Sequence, residues 1–241
     1  MMNCIVMSLP VSFNKNMKIQ SMKPGLKIEF FTNEELNLIF DSVKNRMINN
    51  RTHEMYHRRY YFLMKALLYT GARIEEIVPY HRGQAIGKGG VLYKEINSYG
   101  LRPADINLDI GTVTLNTLKK KSASGKLPQR VLPLFPEFRN EFTSYLLSTH
   151  IDIKSKDPLF PMTRGAVNLY MKKLERELGF RVHPHKFRHT FAVAAVLSGV
   201  PLNVLQEWMA HSSIFITSIY TQITGMDTSR YMEQINYENL G

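Results

Sequence analysis

From Pro136 to near the C-terminus the chain is punctuated as one helix after another, which leaves little room for a large sheet. Apolar residues recur at helical spacing over about 137–148, 164–178, 184–198, 201–210, 212–221 and 228–238, with Gly179 and Gly199 as stop signals. Upstream, Thr32 followed by Glu35 is a capping-box signature that opens a helix running to about Asn49. A second helix runs from about His53 to Tyr69 and ends at Gly71, a glycine in the C-cap position. A short helix from Arg73 to Val78 follows. Strand patterning is confined to Thr112–Leu118 and Gln129–Leu134, joined as a hairpin by the basic Lys119–Lys126 tip. The expected class is mainly α with a small antiparallel β-sheet (α+β). Residues 1–28 read as an irregular arm. The glycine-rich stretch over 79–100, carrying His81, Arg82, Lys88 and Lys94, reads as a long inserted basic loop.

Charge narrows the partner. Thirty-one Lys+Arg stand against twenty Asp+Glu in 241 residues, a formal charge of +11, and the isoelectric point is near 9.7. A chain that basic attracts polyanions, nucleic acid foremost and anionic membrane surfaces second. Cys4 is the single cysteine, so a disulfide framework and a cysteine-ligated zinc site are both excluded within one chain. No apolar run reaches the length of a membrane span, and Met1–Phe13 lacks the basic start of a signal peptide. A soluble, cytoplasmic protein is expected.

The densest chemistry lies in His183-Pro184-His185-Lys186-Phe187-Arg188-His189-Thr190. Pro184 suits a first helical turn, and His185 and Arg188 then share one face. Such a pair can donate to both non-bridging oxygens of one phosphate; it is equally the start of a capped helix with a surface arginine. Met209-Ala210-His211-Ser212 joins two further helical patterns, and Tyr220 follows nine residues after His211. Upstream, Thr70-Gly71-Ala72-Arg73 presents an arginine where a glycine-terminated helix hands over to the next, with Glu76 three residues on. Each fragment alone is common.

Taken in order, the fragments resemble the tyrosine recombinase (phage integrase) family over about Phe31–Tyr220. The family pattern, Thr-Gly-x-Arg-x-x-Glu, a hairpin lysine, His-x-x-Arg, Leu-Gly-His and a tyrosine, maps to Thr70–Glu76, the lysines from Lys119, His185–Arg188, His211 and Tyr220. Phe31-Thr32-Asn33-Glu34-Glu35-Leu36, Leu101–Ile106 and Val131–Leu134 agree with it as well. The resemblance implies a catalytic-domain fold and a site-specific recombinase that cuts and reseals DNA through a 3′-phosphotyrosyl link, without metal or other cofactor. It implies Arg73 and Arg188 clamping the phosphate and Tyr220 attacking phosphorus. His185 would accept the phenol proton, Lys119 would act as general acid, and His211 would hydrogen-bond a phosphate oxygen. Glu76 would orient Arg73 or His185, with His189 in support. Lys121 is the next choice for the general acid. Arg82, Lys88, Lys120, Lys121, Lys126 and Lys186 are expected on DNA.

Three departures stand out. Met209-Ala210 replaces Leu-Gly before the third histidine, the 79–100 stretch is long, and only some thirty residues precede Thr32. That is too few for the separate core-binding domain that most family members carry. The expected organisation is the arm, a catalytic domain over 29–225, and a C-terminal helix and tail over 226–241. The partners implied are double-stranded DNA and further copies of the chain, a tetramer on DNA that exchanges its C-terminal helices, with no membrane. A non-cutting accessory DNA binder and a type IB topoisomerase are the alternatives.

Overall fold

The computed structural model describes residues 28–82, 85–86, 92–93, 96–118 and 127–223, with backbone alone at 82, 85–86, 92–93, 96 and 222–223. Among these residues the helices are α1 (Asn33–Asn49), α2 (Glu54–Thr70), α3 (Ile74–Ile77), α4 (Pro136–Thr149), α5 (Arg164–Leu178), α6 (Pro184–Leu197), α7 (Leu202–Trp208) and α8 (Ile214–Ile223). The helical punctuation is therefore matched up to α8. The segment expected at 228–238 lies outside the described residues, as does nearly all of the N-terminal arm.

Helix α2 is the axis. Every residue from Tyr60 to Thr70 is buried, so its last three turns are covered on all sides, by α1, α4 and α6 among others. Residues that bury all round need neighbours all round, which is why the later helices collect about this one. The entry to α1 is fixed locally by Thr32 and Glu35, which form the reciprocal capping box. It is fixed globally by Phe31, fully buried, whose backbone N–H donates to Thr190 Oγ1 of α6 at 2.8 Å.

The sheet has three strands in the order β5-β6-β7, where β5 is Ile106–Asn107, β6 Thr112–Asn116 and β7 Gln129–Pro133. Pairing is antiparallel, with Val113 opposite Leu132 and Asn116 opposite Gln129. Alternation turns Val113 and Leu115 inward from β6, and Arg130 and Leu132 inward from β7. The ladder continues to the foot of the hairpin, where Thr117 N–H donates to the Pro128 carbonyl at 2.7 Å.

The stretch over 79–100 departs from the irregular loop expected for it. Its backbone forms antiparallel pairs, β1 (Tyr80–Arg82) with β4 (Ile96–Ser98) and β2 (Ala85–Ile86) with β3 (Leu92–Tyr93). The glycines at 83, 87, 89 and 90 interrupt the sequence pattern, and strands of two or three residues are too short to show alternation.

Gly71 closes α2 at φ +59°. A Cβ there would fall 2.3 Å from Phe191 Cδ1, so backbone and packing both demand glycine. Gly71→Ala is expected to destabilise the chain by about 2–5 kcal/mol, combining about 1–2 for a left-handed L-residue with about 1–3 for overpacking. Urea unfolding checks this, and a loss below about 1 kcal/mol would mean that α6 yields freely.

Candidate active site

Five segments distant in sequence converge at the C-terminal end of α2. The turn at Gly71 delivers Arg73 to the start of α3, where its backbone N–H donates to Glu76 Oε2 at 2.9 Å and its Nη1 to Oε1 at 3.2 Å. Glu76 is 1% exposed and also accepts from Arg130 Nη2 of β7 at 2.7 Å. Burial alone would raise the Glu76 carboxyl, but the two guanidiniums, Arg130 above all, hold it below the ordinary carboxylate range.

From the first turns of α6, Arg188 points inward and is 2% exposed. Its Nη1 donates to the Gly71 carbonyl and its Nη2 to the Met209 carbonyl. Desolvation, and next repulsion from Arg73, bring its guanidinium down to about 9, so it stays cationic at neutral pH. Ala210 follows Met209 with φ +47°, the left-handed region where the resembled family places glycine.

His211 sits in the turn between α7 and α8. It is buried, with Nδ1 3.0 Å from Thr217 Oγ1, and its ring lies within 9° of parallel to that of Tyr220 at a centroid distance of 6.5 Å. Burial, then the positive charge of Arg188 and Arg73, push it down to about 3. Tyr220 is 3% exposed. Burial raises its phenol, while Arg188 and Arg73 pull the other way. Its hydroxyl lies 2.9 Å from Nδ1 of His189, which burial and then repulsion from His185 and Arg188 push down to about 4. With both groups neutral the phenol O–H donates to Nδ1. His185 is exposed and meets the His189 ring edge-on at 4.4 Å between centroids.

Arg73, Glu76, Arg188, His211, Tyr220 and His189 thus meet at one place. The tyrosine hydroxyl is contacted by His189, which stands one turn further along α6 on the same side as His185, whose ring it meets edge-on nearer the exposed start of the helix. Lys186 is corrected outright as a DNA contact. It is buried, its ammonium 3.3 Å from both Glu35 carboxylate oxygens and 4.3 Å from the Phe31 ring centre. It joins α6 to the start of α1. Lys88, Lys119, Lys120, Lys121 and Lys126 lie outside the described residues, and Arg82 is described in backbone only, within β1. Arg130 is the residue that sequence reading missed. Its signal was the strand period, which places it in phase with inward Leu132 and so marks a buried arginine.

The sequence model of the phage integrase family matches residues 96–225, more than half of the chain. The chain belongs to this family. It is 31% identical over 147 residues to tyrosine recombinase XerA of Pyrococcus furiosus, covering 58% of this chain and 49% of that protein. It is 33% identical over 156 residues to tyrosine recombinase XerC of Pseudomonas syringae pv. tomato, covering 59% and 48%. The chain therefore spans about half the length of these curated relatives. Among solved structures, the catalytic domain of bacteriophage HP1 integrase superposes with a TM-score of 0.57 at 16% identity, covering 89% of this chain and 99% of that one. The fold is that of the family's catalytic domain. Among the described residues no helix is long and apolar enough to cross a membrane.

The depressed histidines set a pH dependence. Their ordinary value is 6.5, so as pH falls below about 6.5 the unfolded chain takes up protons that the folded chain refuses, down to about 4 for His189 and about 3 for His211. Their contribution is intact above pH 6.5 and is lost on acidification. Urea unfolding should show stability declining from pH 6.5 toward 4, with a shallower slope in a His189→Asn, His211→Asn double variant. An equal slope in that variant would mean that both rings accept protons freely in the fold.

Proposed function

We propose that this chain breaks and rejoins DNA strands as a site-specific recombinase, with Tyr220 as the covalent nucleophile. The observation that carries this reading is a buried tyrosine under the field of two arginines, Arg188 and Arg73, brought from α6 and the start of α3. The guanidiniums of Arg73, Arg130 and Arg188 face one carboxylate, Glu76, while His189 and His211 are neutral. A buried cluster with surplus positive charge is a seat for an anion, and a phosphodiester carries a negative charge that grows and spreads over its non-bridging oxygens in the transition state. The tyrosine recombinase relatives support the same reading.

In this mechanism Arg73 and Arg188 hold the non-bridging oxygens and His211 hydrogen-bonds one of them. The Tyr220 oxygen forms a bond to phosphorus as the bond from phosphorus to the 5′-oxygen breaks. The phenol proton passes to His189, which already accepts its hydrogen bond. A phosphate anion beside that ring offsets the repulsion from His185 and Arg188. Lys119 gives a proton to the departing 5′-oxygen. Reversal of these steps by a new 5′-hydroxyl reseals the strand. Lys88, Lys120, Lys121 and Lys126, with Arg82, neutralise flanking phosphates, which position the protein without reading sequence. We take the working assembly to be a tetramer on double-stranded DNA, inside the cell, in which residues 226–241 of each copy dock on a neighbour.

Nicked suicide duplexes drawn from DNA flanking the protein's own gene, incubated with EDTA present, test this directly. A covalent protein–DNA band on a denaturing gel is expected, abolished by Tyr220→Phe. Arg73→Ala and Arg188→Ala should each slow its formation by about 10²–10³, the scale set by loss of one preorganised donor to a developing charge. Retained DNA binding without any band would instead select a non-cutting accessory binder. Efficient relaxation of plasmids lacking a specific site would select a topoisomerase.

A further inference from the structure

We infer that Arg130 is a positioning residue that sets Arg73 and the turn bearing His211 in one geometry. The inference rests on the DNA-cleavage reading of this site and adds a residue to its machinery. Arg130 occupies an inward position of β7, and its side chain is 5% exposed. Each of its three side-chain nitrogens bonds to a different part of the fold. Nε donates to the Trp208 carbonyl at 2.7 Å, Nη1 to Thr117 Oγ1 at 3.2 Å, and Nη2 to Glu76 Oε2 at 2.7 Å.

Each partner stands next to a different element of the site. Glu76 holds both the backbone and the side chain of Arg73, so Arg130 reaches the phosphate clamp through a shared carboxylate. Trp208 directly precedes Met209, whose carbonyl accepts from Arg188, and stands three residues before His211. Thr117 lies at the foot of the hairpin, two residues before Lys119. A planar guanidinium fixes all three directions at once. An ammonium, with every donor on one atom, cannot span them.

The electrostatics point the same way. Were Glu76 to face Arg73 alone, that ion pair would consume much of the charge Arg73 offers to a phosphate. Shared between two guanidiniums, the carboxylate orients Arg73 without cancelling it. Arg130 is also felt electrostatically at His211.

The test compares wild type, Arg130→Lys and Arg130→Ala on the suicide duplexes, and DNA affinity in a Tyr220→Phe background. Covalent-complex formation should fall at least 10-fold in Arg130→Lys, which keeps the charge, and about 100-fold in Arg130→Ala. DNA affinity should change less than 3-fold. Methylguanidinium added to Arg130→Ala should restore at least 10-fold, with no effect on wild type. Full activity in Arg130→Lys, or a loss explained wholly by DNA affinity, would overturn the inference. Amide hydrogen exchange provides an arm independent of cleavage. Segments 71–78 and 206–213 should lose protection together in Arg130→Lys while α1 and α5 keep theirs. Uniform loosening, or loosening of one segment alone, counts against the coupling. If wild type itself forms no covalent complex, the cleavage reading fails while the exchange result still decides the coupling.

Discussion

A guanidinium withdrawn almost wholly from water survives only where protein oxygens replace that water, and Arg188 finds them on two turns. The carbonyls of Gly71 and Met209 both point at its fork, from the end of α2 and the end of α7. Removing a partner from a buried charge costs more than an exposed ion pair ever contributes, because the desolvation penalty remains. The two turns are therefore held in register by the same group that the proposed chemistry needs. Gly71 adopts a left-handed conformation against the Phe191 ring, and Ala210 does the same immediately after Met209. At Gly71 glycine takes this conformation freely, whereas at Ala210 it is one that an L-residue rarely adopts, held by backbone fixed on what it must reach.

Around this pin the charge is unbalanced by construction. Glu76 is shared between Arg73 and Arg130, and Arg188 has only carbonyl oxygens among its described partners. Burial first, and the surrounding cations after it, keep His189 and His211 neutral, and the same cations oppose the rise that burial imposes on Tyr220. A neutral His189 can accept the tyrosine proton's hydrogen bond, which a charged imidazolium could not. The same arrangement that suits an anion thus holds the Tyr220 hydroxyl protonated and directed at His189.

Much of this was legible in the chain. Helix boundaries followed from local signals whose physics needs few neighbours: the Thr32–Glu35 capping box, Pro184 in a first turn, and Gly71 and Gly179 as left-handed caps. The order of arginine, histidine and tyrosine motifs pointed to the family. What misled was local chemistry judged without its surroundings. Lys186, in the middle of a basic motif, reads as a phosphate contact; Glu35 and two aromatic rings claim it instead. The glycine-rich stretch over 79–100 reads as loop because cross-strand pairing is a property of two segments and is written in neither.

The sequence by itself determined the helical class and the small hairpin sheet and marked the side chains that meet at the site, since periodicity, capping and residue chemistry are properties of neighbours along the chain. Only the tertiary structure decided which of two histidines touches Tyr220. One helical turn along α6 sets His189 beside Tyr220, while His185 on the same side stays nearer the exposed start of the helix. It alone revealed Arg130 as the bridge between Glu76 and the carbonyl of Trp208, 78 residues away in sequence. Whether a charged side chain is a surface group or a buried tie depends on what packs over it, and that is fixed by contacts no local pattern contains.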